Sequence, residues 1–249
     1  MPFKIAIATP LSALIFLQIL LLSNLGHGAS QVLSAPRVMH IAAFPKQNVQ
    51  GKVAVGIIKA AYKKLGIEIE IHRLPGARSI LQVDRGELDA ELMRIKGMEK
   101  TFNNLVPVNI HLMYMQVAAF SRLKNISLQS WQDLKPHKIA YELGFKLLEN
   151  NTKGMNVIKT NDPHHAFRLL NEDKVEIVID LKLDGMSYIK HKGLKDVKVI
   201  EPALKTFAVF HYVHNKHKNL VPNLEQALVT MHESGESAKI HKTIVNQVQ

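Results

Sequence analysis

The 249-residue sequence contains no cysteine and a single tryptophan. Without cysteine there are no disulfides, no thiolate metal ligands and no cysteine nucleophile. Tethering through a lipid-modified N-terminal cysteine is excluded for the same reason. Long runs of like charge are also missing, although 32 Lys and Arg outnumber 21 Asp and Glu and give a formal charge of +11. Scattered lysines with few aromatics beside them read as a solvated basic face, not as a nucleic-acid surface. No G-x-S-x-G elbow, phosphate loop or dinucleotide fingerprint occurs. Beyond residue 37, no stretch approaches the roughly 20 apolar residues that a membrane-spanning helix needs.

Charge is nearly absent from the N-terminus. Lys4 is the only charged residue before Arg37, and residues 11–22 form the apolar run LSALIFLQILLL. Small and polar residues follow, among them Gly26, Gly28, Ala29 and Ser30. A positive start, a short greasy middle and a small-residue exit predict a secretory signal peptide over residues 1–30, cleaved after Gly28 or Ser30. The expected product is a periplasmic protein of about 220 residues, enough for one large domain or two of about 100 each.

After the leader the pattern alternates. Residues 38–44 (VMHIAAF) read as a buried strand. Residues 51–65 place Val53, Ile57, Ile58, Ala61 and Leu65 on one helical face, with Gly66 ending the helix. Residues 67–74 alternate as a half-exposed strand does. Pro75-Gly76 breaks that strand, 77–85 read as helix and 88–95 as a third strand. This order predicts a mostly parallel sheet flanked by helices. A second unit follows, with strands at 138–142, 156–160, 175–181 and 197–200. Helices are predicted at 127–134, 144–150, 184–191 and after the capping residue Asp162. The tail, an extended stretch at 206–213 and amphipathic helices at 222–233 and 236–247, has no unit of its own and is expected to return to the first. The predicted fold class is therefore α/β with two lobes, residues 31–116 plus 207–249 and residues 117–206. Two extended strands join them as a hinge, crossing near 116–121 and 205–212.

Ligands of open α/β sheets bind beyond the carboxyl ends of the strands. That rule selects Phe44, Arg73 and Arg94 in the first lobe and Glu142 and Asp180 in the second; helix starts near Ala77-Arg78 and Gly144-Phe145 add N–H donors, and Phe44 or Tyr141 would pack on the ligand body. The first set is cationic and the second acidic, which suits a zwitterion. A guanidinium would take its carboxylate and a carboxylate its ammonium. Asp180 has a second reading as the cap of the next helix. The triplet His211, His214 and His217 does not predict a metal site, because a spacing of three on a strand points side chains to opposite faces. His164 and His165 are adjacent and cannot share one helix face. No metal, cofactor or catalytic residue is predicted.

Four stretches carry a family resemblance: LPGARSILQVDRGELDAELMRI (74–95), SWQDLKPHKIAYELG (130–144), HAFRLLNEDKVEIVID (165–180) and NLEQALVTMHESGESAKI (223–240). In this order they resemble extracellular solute-binding proteins of family 3, with the type II periplasmic binding fold. The resemblance implies capture of an amino acid or small organic anion between two closing lobes, for uptake with an ABC permease or for sensing with a membrane partner. It implies a monomer and no enzyme. An alternative within the same fold is a cyclohexadienyl dehydratase-like enzyme using a cleft carboxylate as acid. The family's carboxylate-binding arginine usually follows Thr-x-Glu-Arg. Here that place reads Gly97-Met98-Glu99-Lys100, so Lys100 or Arg94 would take the role. The family's acidic group falls one residue beyond Asp180.

Overall fold

The computed structural model describes residues 38–46 and 48–248; the expected signal peptide lies outside them. Eight strands form one sheet in the order β2-β1-β3-β8-β4-β7-β5-β6. In chain order the strands are β1 (Val38–Ala43), β2 (Glu68–Arg73), β3 (Ala90–Arg94), β4 (Leu105–Ser121), β5 (Ile139–Glu142), β6 (Val157–Thr160), β7 (Ile177–Leu181) and β8 (Lys198–His214). Seven α-helices are seen among the described residues: α1 (Val49–Lys64), α2 (Gly76–Asp84), α3 (Lys146–Asn151), α4 (Pro163–Asn171), α5 (Lys182–Lys192), α6 (Val221–Glu233) and α7 (Glu236–Val248).

β1 pairs in parallel with β2 and β3 at one end of the sheet, and β5 with β6 and β7 at the other. Between them run β4 and β8, each 17 residues long and antiparallel to one another. These two strands are the paired crossings that join the lobes. The sequence predicts two separate strands at 197–200 and 206–213. The structure makes them one, because Lys198–Ile200 and most positions from Lys205 to His214 pair with the equally long β4. Glu201-Pro202, which reads as a break, is accommodated where β4 and β8 shift register. The predicted helix at 127–134 shrinks to a 3-10 turn over Trp131–Leu134. Ser130 caps it and Asp133 reaches back to the cap backbone.

Each lobe has apolar packing on both sheet faces. In the first, Met39, Ile41, Val53, Ile57, Ile58 and Leu228 form the larger cluster, and Ala42, Ile80, Val83 and Tyr212 the smaller. In the second, Ile139, Tyr141, Ile177 and Ile179 pack on one face and Phe120, Phe167, Leu170 and Val178 on the other. Leu181 and Phe207 lie against clusters of both lobes. Two glycines permit close approach. A Cβ on Gly56 would lie 2.8 Å from Ile240 of α7, and one on Gly185 would lie 2.3 Å from the Phe120 ring of β4. Gly185 thereby seats α5 on the sheet one residue after Asp184.

Candidate functional site

A cavity of about 650 Å³ opens between the β1–α1 segment of the first lobe and the carboxyl ends of β5, β6 and β7 in the second. This is a usual size for a small-molecule site. The first lobe contributes Lys46, Asn48, Val49 and Lys52, and the second Glu142, Asp162, Asp180, Asp184 and Tyr188.

The start of α1 forms one wall. Asn48 caps the helix, its side chain accepting from the Gly51 N–H at 2.8 Å. The Val49 N–H, one of the donors a helix start leaves without an intrahelical partner, donates instead to Asp184 Oδ1 at 2.8 Å. The buried Gln50 amide, with its nitrogen oriented toward Asp184, donates to both carboxylate oxygens at 2.6 and 2.8 Å. The positive end of the helix dipole favours an anion here. Burial nevertheless lifts the Asp184 pKa to about 6, against the donors from Val49 and Asn48. The Lys46 ammonium donates to Glu142 Oε1 across the same gap.

The opposite wall is acidic. Asp180 accepts from the Leu181 N–H at 2.7 Å, and burial raises its carboxyl well above the usual range. The neighbouring Asp184 and Glu142 push the same way, while the Leu181 N–H and Lys46 oppose them. Carboxylates crowded in a poorly solvated pocket cannot all ionise without a cation among them. Leu181, not Asp180, occupies the cap position of α5, so the capping alternative does not apply. An aromatic patch completes the cavity. Tyr188 stacks on the His164 ring with centroids 4.6 Å apart and lies 5.0 Å from the Phe167 ring.

The structure places the sequence-selected residues in different settings. Glu142 and Asp180 line the cavity; Arg73, Arg94, Arg78, Tyr141, Phe44 and Lys100 are not among its lining residues. Arg94 points neither into the cavity nor into bulk water. Its Nε lies 3.0 Å from Oε1 of the fully buried Glu91. Its Nη2 donates to the Gly76 carbonyl at 2.8 Å and to Ser79 Oγ at 2.7 Å. The guanidinium also covers the Phe44 ring at 4.4 Å. Burial raises the Glu91 pKa to about 7, and Arg94 works against that rise. Tyr141 is buried in the second lobe, its hydroxyl 2.9 Å from Thr152 Oγ1. Arg78 is exposed on α2, and Lys100 is exposed at the end of a 3-10 turn after β3. Sequence reasoning missed Lys46 and Asp184. The strand-end rule stopped at Phe44, two residues short of Lys46. The Asn48 cap was a legible signal that a helix start follows at once. Asp184 was placed at the start of a helix, but nothing in the sequence tells that its carboxylate reaches a second helix start across the gap.

No protein-family model matches the chain. A protein of Shewanella oneidensis whose function is uncharacterized is 23% identical over 199 residues, covering 77% of this chain and 75% of that one. Among solved structures, the GluR0 ligand-binding core in complex with L-glutamate superposes with a TM-score of 0.72 at 14% identity, covering 85% of this chain and 99% of that one. An ancestral arginine-binding protein bound to glutamine gives 0.65 at 20% identity, covering 84% and 98%. A histidine kinase sensor domain similar to periplasmic binding proteins gives 0.66 at 17%, covering 83% and 95%. The chain therefore has the two-lobed type II periplasmic binding protein fold. Among the described residues, no helix is long and apolar enough to cross a membrane.

Proposed function

We propose that the chain is an exported solute-binding protein that closes two lobes, residues 31–116 plus 207–249 and residues 117–206, around one small zwitterion, an amino acid or a near relative. One observation carries this reading: cationic and N–H donors of the first lobe face partly buried carboxylates of the second across a single cavity. Asp180 and Glu142 receive the ligand's ammonium. Lys46 and the α1 N-terminus receive its carboxylate once their internal partners, Glu142 and Asp184, turn to the ligand. Tyr188 packs on the ligand body. Arg94 supports the site from behind by fixing Phe44 and Gly76, next to the β1–α1 segment. The fold shared with amino-acid-bound structures supports the same class.

Calorimetric titration with an amino-acid, amine and organic-acid panel tests the proposal. The expected result is saturable binding of at least one α-amino acid, weakened about tenfold or more by Asp180→Asn, since a buried charged partner is worth a few kcal/mol. Binding only of simple organic acids, unaffected by Asp180→Asn, would overturn it.

A further inference from the structure

A second constellation lies outside the cavity, on the edge of the sheet. β2 is the edge strand, and its parallel register with β1 sets Glu70 opposite His40 and His72 opposite Ala42. Glu70 and His72 are two residues apart and share a face. The three side chains therefore converge. His40 Nδ1 lies 3.0 Å from His72 Nε2 and 3.5 Å from Glu70 Oε2, and His72 Nε2 lies 3.3 Å from Glu70 Oε1. One shared proton joins the two imidazoles, but the ring nitrogen that accepts it uses its one lone pair there and has no proton to offer the carboxylate oxygen beside it. Two ring nitrogens and a carboxylate, all turned to one point, would be satisfied together by a cation at that point.

Spacing and ligand type together point to the class of cation. Zinc takes imidazole nitrogen at about 2.0–2.1 Å and carboxylate oxygen at about 2.0–2.2 Å in a tetrahedron, so neighbouring ligand atoms stand about 3.3–3.5 Å apart. The two nitrogens stand 3.0 Å apart and each has one oxygen of the Glu70 carboxylate at 3.5 or 3.3 Å, within a few tenths of an ångström of that edge length. Two imidazoles and one carboxylate suit zinc and its transition-metal neighbours better than magnesium or calcium, which prefer all-oxygen sites. The side chains are between 34% and 59% exposed, which leaves the fourth position to solvent.

We propose that His40, Glu70 and His72 form a surface site for one divalent transition-metal ion of the zinc class, clipping the edge strand β2 to β1. The site shares no residue with the interlobe cavity, so it stands or falls independently of the ligand reading. The test is a Zn2+ titration of the purified protein by calorimetry, with a parallel thermal melt. The expected result is one equivalent bound by the wild type and a rise in Tm with Zn2+, as binding to the folded state requires. His72→Ala should weaken binding by about tenfold or more and abolish the Tm rise; losing a ligand costs at least what losing a ligand's support does. Glu70→Gln should weaken binding with both rings in place and decides the matter should His72→Ala fail to fold. His232→Ala, whose ring contacts His111 instead of these residues, should leave Zn2+ binding and the Zn2+-dependent rise in Tm unchanged. Wild-type protein that binds no Zn2+, or binding unchanged in both His72→Ala and Glu70→Gln, would overturn the proposal.

Discussion

Arg94 and Glu91 form a charge pair inside the first lobe, with Nε 3.0 Å from a carboxylate oxygen. An arginine at the end of an apolar strand invites the reading of a ligand clamp, yet its charge is answered inside the lobe by a fully buried carboxylate. Removing one partner of such a pair costs about 3–5 kcal/mol, because the other charge is left buried and unpaired. Arg94→Ala is accordingly expected to lower stability by that order, measured by denaturant unfolding. The double change Arg94→Met with Glu91→Leu should recover most of the loss. His211 is equally hidden in the sequence. Its Nδ1–H donates to the Leu92 carbonyl at 3.2 Å and its Nε2 accepts from the Tyr62 hydroxyl at 3.0 Å, so the neutral ring is fully used. Burial holds its pKa down to about 4. The unfolded chain takes up this proton first as pH falls from about 6.5, so the stability His211 contributes is present above that pH and lost toward 4. Glu91 has the opposite sign, its raised pKa adding stability as pH falls below about 7. Unfolding of His211→Leu at pH 7 and pH 4.5 should show a smaller acid loss than the wild type. An equal or larger loss would place the acid sensitivity elsewhere.

At the scale of elements, periodicity carried most of the information. The face Val53, Ile57, Ile58 and Ala61 is the buried face of α1, and Asp162 caps α4 through the His165 N–H at 2.8 Å. Both were legible because a helix face and a cap are local. What was not legible is non-local. The fusion of two strands into β8 depends on the length of β4, and the meeting of Asp184 with the start of α1 depends on two lobes facing each other. Gly185 belongs to this scale, since it sets how deeply α5 sits on Phe120. Gly185→Ala is expected to cost about 1–3 kcal/mol by overpacking, read as a fall in Tm. Because α5 carries Asp184, ligand affinity should fall with it. Phe120→Leu in the same chain should restore part of both. Loss of Tm with unchanged affinity would separate the seating of α5 from the site.

For the whole molecule, the strand-end rule picks Glu142 and Asp180, which line the cavity, whereas its first-lobe choices lie off the lining. Phe44 packs on Arg94, whereas the cavity takes its cation from Lys46, in the loop that follows β1. The Lys46–Glu142 pair bridges the lobes through a half-exposed ammonium. Exposed pairs of this kind contribute about 0–1 kcal/mol. Lys46→Ala should therefore leave unfolding stability nearly unchanged while lowering ligand affinity, a split that a purely structural role does not produce. The most direct test of the whole account is a crystal structure with the tightest amino-acid ligand from the calorimetric panel. The ligand's ammonium is expected against Asp180 and Glu142, and its carboxylate against Lys46 and the start of α1. A ligand seated instead on Arg78, Arg94 and Lys100, with the interlobe cavity unfilled, would contradict it.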